Sequence, residues 1–227
     1  MSSAPVSLSK KMWGGSLRVA LGVYLFFVLY IFSYDQGFTL FSLAKTFAGT
    51  ANILLACSFA LSSMGYFFDF LDSKIAYRKY LGLLGYFSAM VYTVLLLFVR
   101  PERYFYGFLD NFWSSDILLG LTAMAILTVM ALISNEMAMR WIGPQRWRMA
   151  LRFGYFAFFL LVLRAILNQS TLIGADTVPE MWATYLSHPE TLPPPRLLFS
   201  GVAMSVIFLR LGVEFDKWYR KPAAPLS

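Results

Sequence analysis

The fold class this sequence predicts is an all-α, polytopic membrane protein built as a six-helix transmembrane bundle. Three observations carry that expectation. Hydrophobic residues fill 59% of the 227 positions and charged residues only 14%, against roughly 25% charged in an ordinary soluble domain. The mean hydropathy is +0.62, more apolar surface than a soluble fold of this size can hide. The apolar residues also gather into six runs, each near the ~20 residues that cross ~30 Å of hydrocarbon.

The N-terminal residues 1–17 are polar and basic, with Lys10 and Lys11. The first span follows at 18–34. A basic tail before an apolar run also fits a signal peptide. The small-x-small site Ser42-Leu43-Ala44 lies well past the run, however, so an uncleaved signal anchor is expected. Residues 35–48 read as an interfacial loop with recurring apolar side chains, among them Phe38, Phe41 and Phe47. The second span, 49–71, is rich in Gly, Ala and Ser, which suits close helix packing in lipid. The third span, 80–99, ends at Arg100-Pro101. The loop 102–116 is unusually aromatic, and Trp113 there is a candidate lipid or partner contact.

The fourth span is expected at 117–134, followed by a turn marked by Gly143-Pro144. The fifth span covers 149–168. The long loop from 169 to 196 holds a short helix start, with a capping-box spacing from Thr177 to Glu180. That helix presents Trp182 as a second candidate lipid or partner contact. Pro193 to Pro195 then force an extended lead-in to the sixth span at 197–215. Residues 216–227 form a basic tail.

Lysine and arginine alternate by side. Lys10, Lys11, Arg18, Lys74, Arg78, Lys79, Arg140, Arg146, Arg148, Arg152, Lys217, Arg220 and Lys221 fall on one side of this topology. Only Lys45, Arg100, Arg103 and Arg196 fall on the other. The bias predicts that both termini face the cytoplasm from an inner membrane. It also accounts for the net charge of +7 without a nucleic-acid partner. The expected partners are the lipid bilayer and other membrane proteins.

The single cysteine, Cys57, excludes an internal disulfide and thiolate metal or iron–sulfur sites. His188 is the one histidine, and in its proline-rich loop it reads as a solvated residue. Met64, Met90, Met124 and Met204 lie within spans and read as packing residues. Arg210 and Glu214 have the i,i+4 spacing of an interfacial ion pair. Arg164 lies deep in the fifth span, ~8 Å below its outer boundary. Either it snorkels to the surface, or its guanidinium holds an anionic head group, a partner's carboxylate or some vacated internal space.

Two stretches carry a family resemblance. Arg78-Lys79-Tyr80-Leu81-Gly82-Leu83, followed by Phe87, Ala89 and Tyr92, resembles the third span of the ferric reductase-like transmembrane domain. That family includes the membrane haem subunit of the periplasmic methionine sulfoxide reductase system. Ser134-Asn135, Gly143, Arg146-Trp147-Arg148, Arg152, Tyr155, Ala157, Leu160 and Leu163 are similar to its fourth loop and fifth span. The resemblance covers roughly residues 50 to 170. It implies a six-helix bundle passing electrons through b-type haem held by histidines of the third and fifth helices. Those histidine positions fall on Tyr92, Leu151 and Arg164, none of them histidine.

The expectation is therefore a bundle that has lost haem ligation, binds no cofactor and has no catalytic or metal-ligating residues. Its role would be that of a non-catalytic subunit or accessory protein of a larger membrane complex. The alternative is a transmembrane electron-transfer protein using haem b on non-histidine ligands, or a quinone.

Overall fold

A computed structural model describes residues 6–167, 178–187 and 192–220. Every regular element among them is helical. The long helices are α1 (Val6–Asp35), α2 (Leu40–Phe67), α3 (Tyr77–Val99), α5 (Ser115–Ile133), α7 (Pro144–Leu167) and α9 (Pro195–Tyr219). Short helices α4 (Phe108–Asn111), α6 (Glu136–Ile142) and α8 (Val178–Ser187) lie in the connections. Among the described residues, five of the long helices, α1, α2, α3, α5 and α9, are long and apolar enough to cross a membrane. The chain is thus an all-α, multi-pass membrane protein.

Helix α2 is the centre of the bundle: half of its most apolar window is buried, against 17% for α1 and for α3. It packs on α1, α3 and α9, while α7 lies against α5 and α9. Small residues make this possible, as the sequence suggested. A Cβ on Gly85 of α3 would stand 3.0 Å from the backbone nitrogen of Leu55, so only glycine lets the two helices meet there. The main core joins Leu55, Ala56 and Phe59 of α2 to Leu127 of α5, Phe158 and Val162 of α7, and Ala203 and Val206 of α9. Met124 and Met204 pack against it, as expected of filler side chains. Several hydroxyls inside the helices are satisfied internally. Thr46 donates to the Ser42 carbonyl at 2.9 Å and Thr50 to the Thr46 carbonyl at 2.8 Å, as an apolar surround demands.

Cross-links between helix ends fix which ends lie together. Tyr66 at the end of α2 donates to Asp216 at the end of α9, 2.8 Å. Trp147 near the start of α7 donates to the Ile133 carbonyl at the end of α5, 2.8 Å. Trp13 near the start of α1 stacks edge-on against Tyr80 near the start of α3. At the opposite end of the bundle, Tyr30 donates to the Pro193 carbonyl.

Several boundaries differ from the sequence reading. The interfacial loop over 35–48 is mostly helix: α2 begins at Leu40 because Thr39 caps it, accepting from the Ser42 amide at 3.1 Å. Asp35 clamps the tight turn by accepting from Lys45 at 2.8 Å and Ser42 at 2.8 Å. Helix α2 also ends at Phe67 rather than residue 71, giving way to a 3-10 turn over Asp69–Lys74. Helix α1 starts at Val6, so much of the expected N-terminal tail is helical. The turn before the fifth span contains α6, which stops at Gly143 with a φ of 83° before Pro144 opens α7. Asp116 belongs to α5, not to the aromatic loop. The short helix α8 matches expectation, and Pro194 is extended, but Pro195 already opens α9 instead of belonging to the extended lead-in. His188 and the Thr177 cap lie outside the described residues.

Candidate functional site

Helices α5 and α7 are packed together so that the first turn of one meets the last turn of the other. Asp116 sits in that first turn and Arg164 in that last turn. Each charge therefore lies at the helix terminus whose dipole favours it. The Arg164 Nε donates to Asp116 Oδ1 at 2.5 Å. Tyr104, from the turn Glu102–Tyr106, donates to Oδ2 at 2.9 Å. Arg103 brings Nη2 within 3.3 Å of the same oxygen. Both carboxylate oxygens are thus engaged by charged or hydroxyl donors, which is what a buried charge requires. The Asp116 side chain is only 2% exposed and that of Arg164 18%.

The Arg164 guanidinium turns to a carboxylate of the same chain, where the sequence left snorkelling, a head group or a partner's carboxylate open. Gly120, one turn after Asp116, makes the space: a Cβ there would lie 3.2 Å from Arg164 Nη1. The Tyr104 phenol, outside the spans, is pushed up to about 12, first by burial and then by the Asp116 charge.

A cavity of about 260 Å3 adjoins the cluster, lined by Tyr92, Asn52, Gly120, Asp116, Tyr104 and Arg164 among others. The Asn52 Oδ1 is buried there without a hydrogen-bond partner among the described residues. Two of the three positions that the resemblance assigns to haem ligands, Tyr92 and Arg164, therefore share one cavity. Leu151 lies thirteen residues before Arg164 on α7, ~20 Å along the helix. No family model matches this chain, and no curated protein matches it.

These residues do not fit haem b. A guanidinium has no lone pair for iron, and this one is committed to Asp116. The space left is below the ~300–1,000 Å3 typical of small-molecule and cofactor pockets. No group of three or more metal-ligating side chains occurs among the described residues.

The remaining candidates lie apart from the cluster. Trp113 is 80% exposed beside Phe112 in the aromatic loop. Trp182 is 38% exposed on α8 and packs edge-on with Tyr185. Arg210 pairs with Glu214 as the spacing indicated. Sequence reasoning missed Asp116 as the counter-charge. The available signal was positional: an acid in the first turn of the fourth span and a base in the last turn of the fifth fall at the same end of neighbouring antiparallel helices.

Proposed function

We propose that this protein is a non-catalytic membrane subunit: a six-span, ferric reductase-like bundle in which an internal ion cluster occupies the haem-edge position. The observation that carries this reading is the Arg164–Asp116 pair. A bundle that still carried haem there would need an iron-ligating side chain and open space. This one has a neutralised guanidinium and a small residual cavity. Helix α7 counts as the sixth span because it runs for 24 residues, Pro144–Leu167, and packs along α5 and α9. The basic end of the bundle is the cytoplasmic one, with both termini inside an inner membrane. The exposed aromatics, Trp113 and Trp182 among them, then face lipid head groups or neighbouring membrane proteins.

The test is an absorbance spectrum, oxidised and dithionite-reduced, of the protein purified gently with its companions. The expected result is no reduced b-type band on this chain, together with companions in fixed stoichiometry through size exclusion. A b-type band that stays with the isolated chain would restore the electron-transfer reading and end this one. A C-terminal alkaline phosphatase fusion is expected to be inactive, and an active fusion would reverse the orientation.

A further inference from the structure

The opposite end of the bundle holds a larger cavity, of about 660 Å3, between α2, α3, α5, α7 and α9. That volume falls within the ~300–1,000 Å3 of ligand sites. Arg78, Lys79, Arg152, Arg210 and Lys217 line it, and no aspartate or glutamate does among the described residues. Glu214 pairs with Arg210 and Lys217, but its own side chain is half exposed and lies outside the lining. No ion pair reaches Arg78, Lys79 or Arg152 among the described side chains.

Two of the cations also contact neutral groups. Arg78 Nη1 donates to Ser62 Oγ at 3.1 Å, which orients the guanidinium without cancelling its charge. Arg210 lies over the Tyr155 ring, 5.1 Å from its centroid. Tyr155 is itself fixed, donating to the Phe59 carbonyl at 3.0 Å. Beyond the cations the wall turns apolar, with Leu55, Leu127 and Met130.

We propose that this cavity binds the phosphate of an anionic membrane lipid, with the acyl chains leaving along the apolar wall. Guanidinium groups match phosphate oxygens in geometry, and lysines add point charge. Excess cations inside a membrane bundle are costly unless an anion meets them. At that depth, at the boundary between helices and head groups, a lipid phosphate is the anion present at high concentration. The division into a cationic head and an apolar wall fits an amphiphile better than a free ion.

The experiment uses the full chain in neutral detergent. Binding is read as quenching of tryptophan fluorescence by lipids with brominated acyl chains, since Trp147 lines the cavity. Brominated phosphatidylglycerol is expected to bind and saturate, and phosphatidylcholine with the same chains to bind at least tenfold more weakly. Arg78→Gln and Arg210→Gln are each expected to weaken phosphatidylglycerol about fivefold. Lys79→Gln with Arg152→Gln alters two exposed side chains and keeps the test decisive if the half-buried variants do not fold. Equal binding of the two lipids, or indifference to all four substitutions, would overturn the proposal. So would displacement of the lipid by inorganic phosphate at the lipid's own working concentration, which would mark a free-phosphate site.

Discussion

At one end of the bundle, two guanidinium groups and a phenol converge on the carboxylate of Asp116. At the other, five cations line a cavity whose described wall holds no carboxylate. The two ends are built on the same helices and both use arginine at helix termini. They differ in where the chain supplies counter-charge: Asp116 stands within the wall of its cavity, whereas Glu214 pairs with Arg210 and Lys217 from outside the wall and no ion pair reaches Arg78, Lys79 or Arg152 among the described side chains. At the Asp116 end the helices close to a cavity of about 260 Å3. At the other, about 660 Å3 stays open. Counting arginines within spans therefore says little, and the position of the matching acid decides what each arginine does.

The largest expected effect comes from removing that acid. Asp116→Leu leaves Arg164 buried without its carboxylate, and breaking a buried pair in this way costs about 3–5 kcal/mol. Thermal unfolding in detergent is expected to show the loss, or the variant to fail to accumulate. Adding Arg164→Leu to it should recover most of the stability, because two apolar residues of similar size can replace a buried pair at little cost. If the double variant is no better than the single, the pair is not what closes that end.

A smaller effect is expected from Gly120→Val. Its side chain would enter the space held by the Arg164 guanidinium, a crowding that costs about 1–3 kcal/mol. In an Arg164→Leu background the same change should cost less, and that non-additivity is the readout. Equal costs in both backgrounds would mean that Gly120 serves helix contact alone.

Salt separates the two ends more gently. The lining cations of the open cavity repel one another across solvent, and ions screen such repulsion. Raising sodium chloride should stabilise the lipid-free protein by a few tenths of a kcal/mol, the scale of exposed charge effects. Arg152→Gln should reduce that gain, whereas Asp116→Asn should leave it intact. A gain that Asp116→Asn abolishes instead would place the salt-sensitive charges at the wrong end.

How much of this could be read from the sequence depends on which force sets each feature. The helical class and the third, fourth and sixth spans were legible because lipid demands long apolar runs. The Arg210–Glu214 pair was legible because it is local, one helical turn. The start of α2 was not: Thr39 caps a helix whose first turns carry Lys45 and Ser42, polar enough to resemble a loop. The clamp on Asp35 that permits it spans two helices. Asp116 was hidden for the same reason. Its partner is 48 residues away in sequence, and only the packing of α5 on α7 brings the two together. The large basic cavity draws its cations from three helices, α3, α7 and α9, and no single stretch announces it.

The finest test of the balanced end is the titration of Tyr104. Its phenol donates to Asp116 and is pushed up to about 12, by burial and by that charge. Its unfolded value is the ordinary 10.0. Between those two values the unfolded chain has released the proton and the native chain still holds it. The hydrogen bond's contribution to stability is therefore complete below pH 10 and is lost as pH rises toward 12. The alkaline difference spectrum of wild type minus Tyr104→Phe should isolate one phenol ionising well above the ordinary tyrosine range. Adding Asp116→Asn to both members of the comparison should bring that ionisation down, since the carboxylate's charge no longer opposes a phenolate. Burial should still hold it above 10. A Tyr104 that titrates near 10 with Asp116 in place would mean that the aromatic turn, Arg103 with it, stands away from the cluster in solution, leaving Arg164 to hold Asp116.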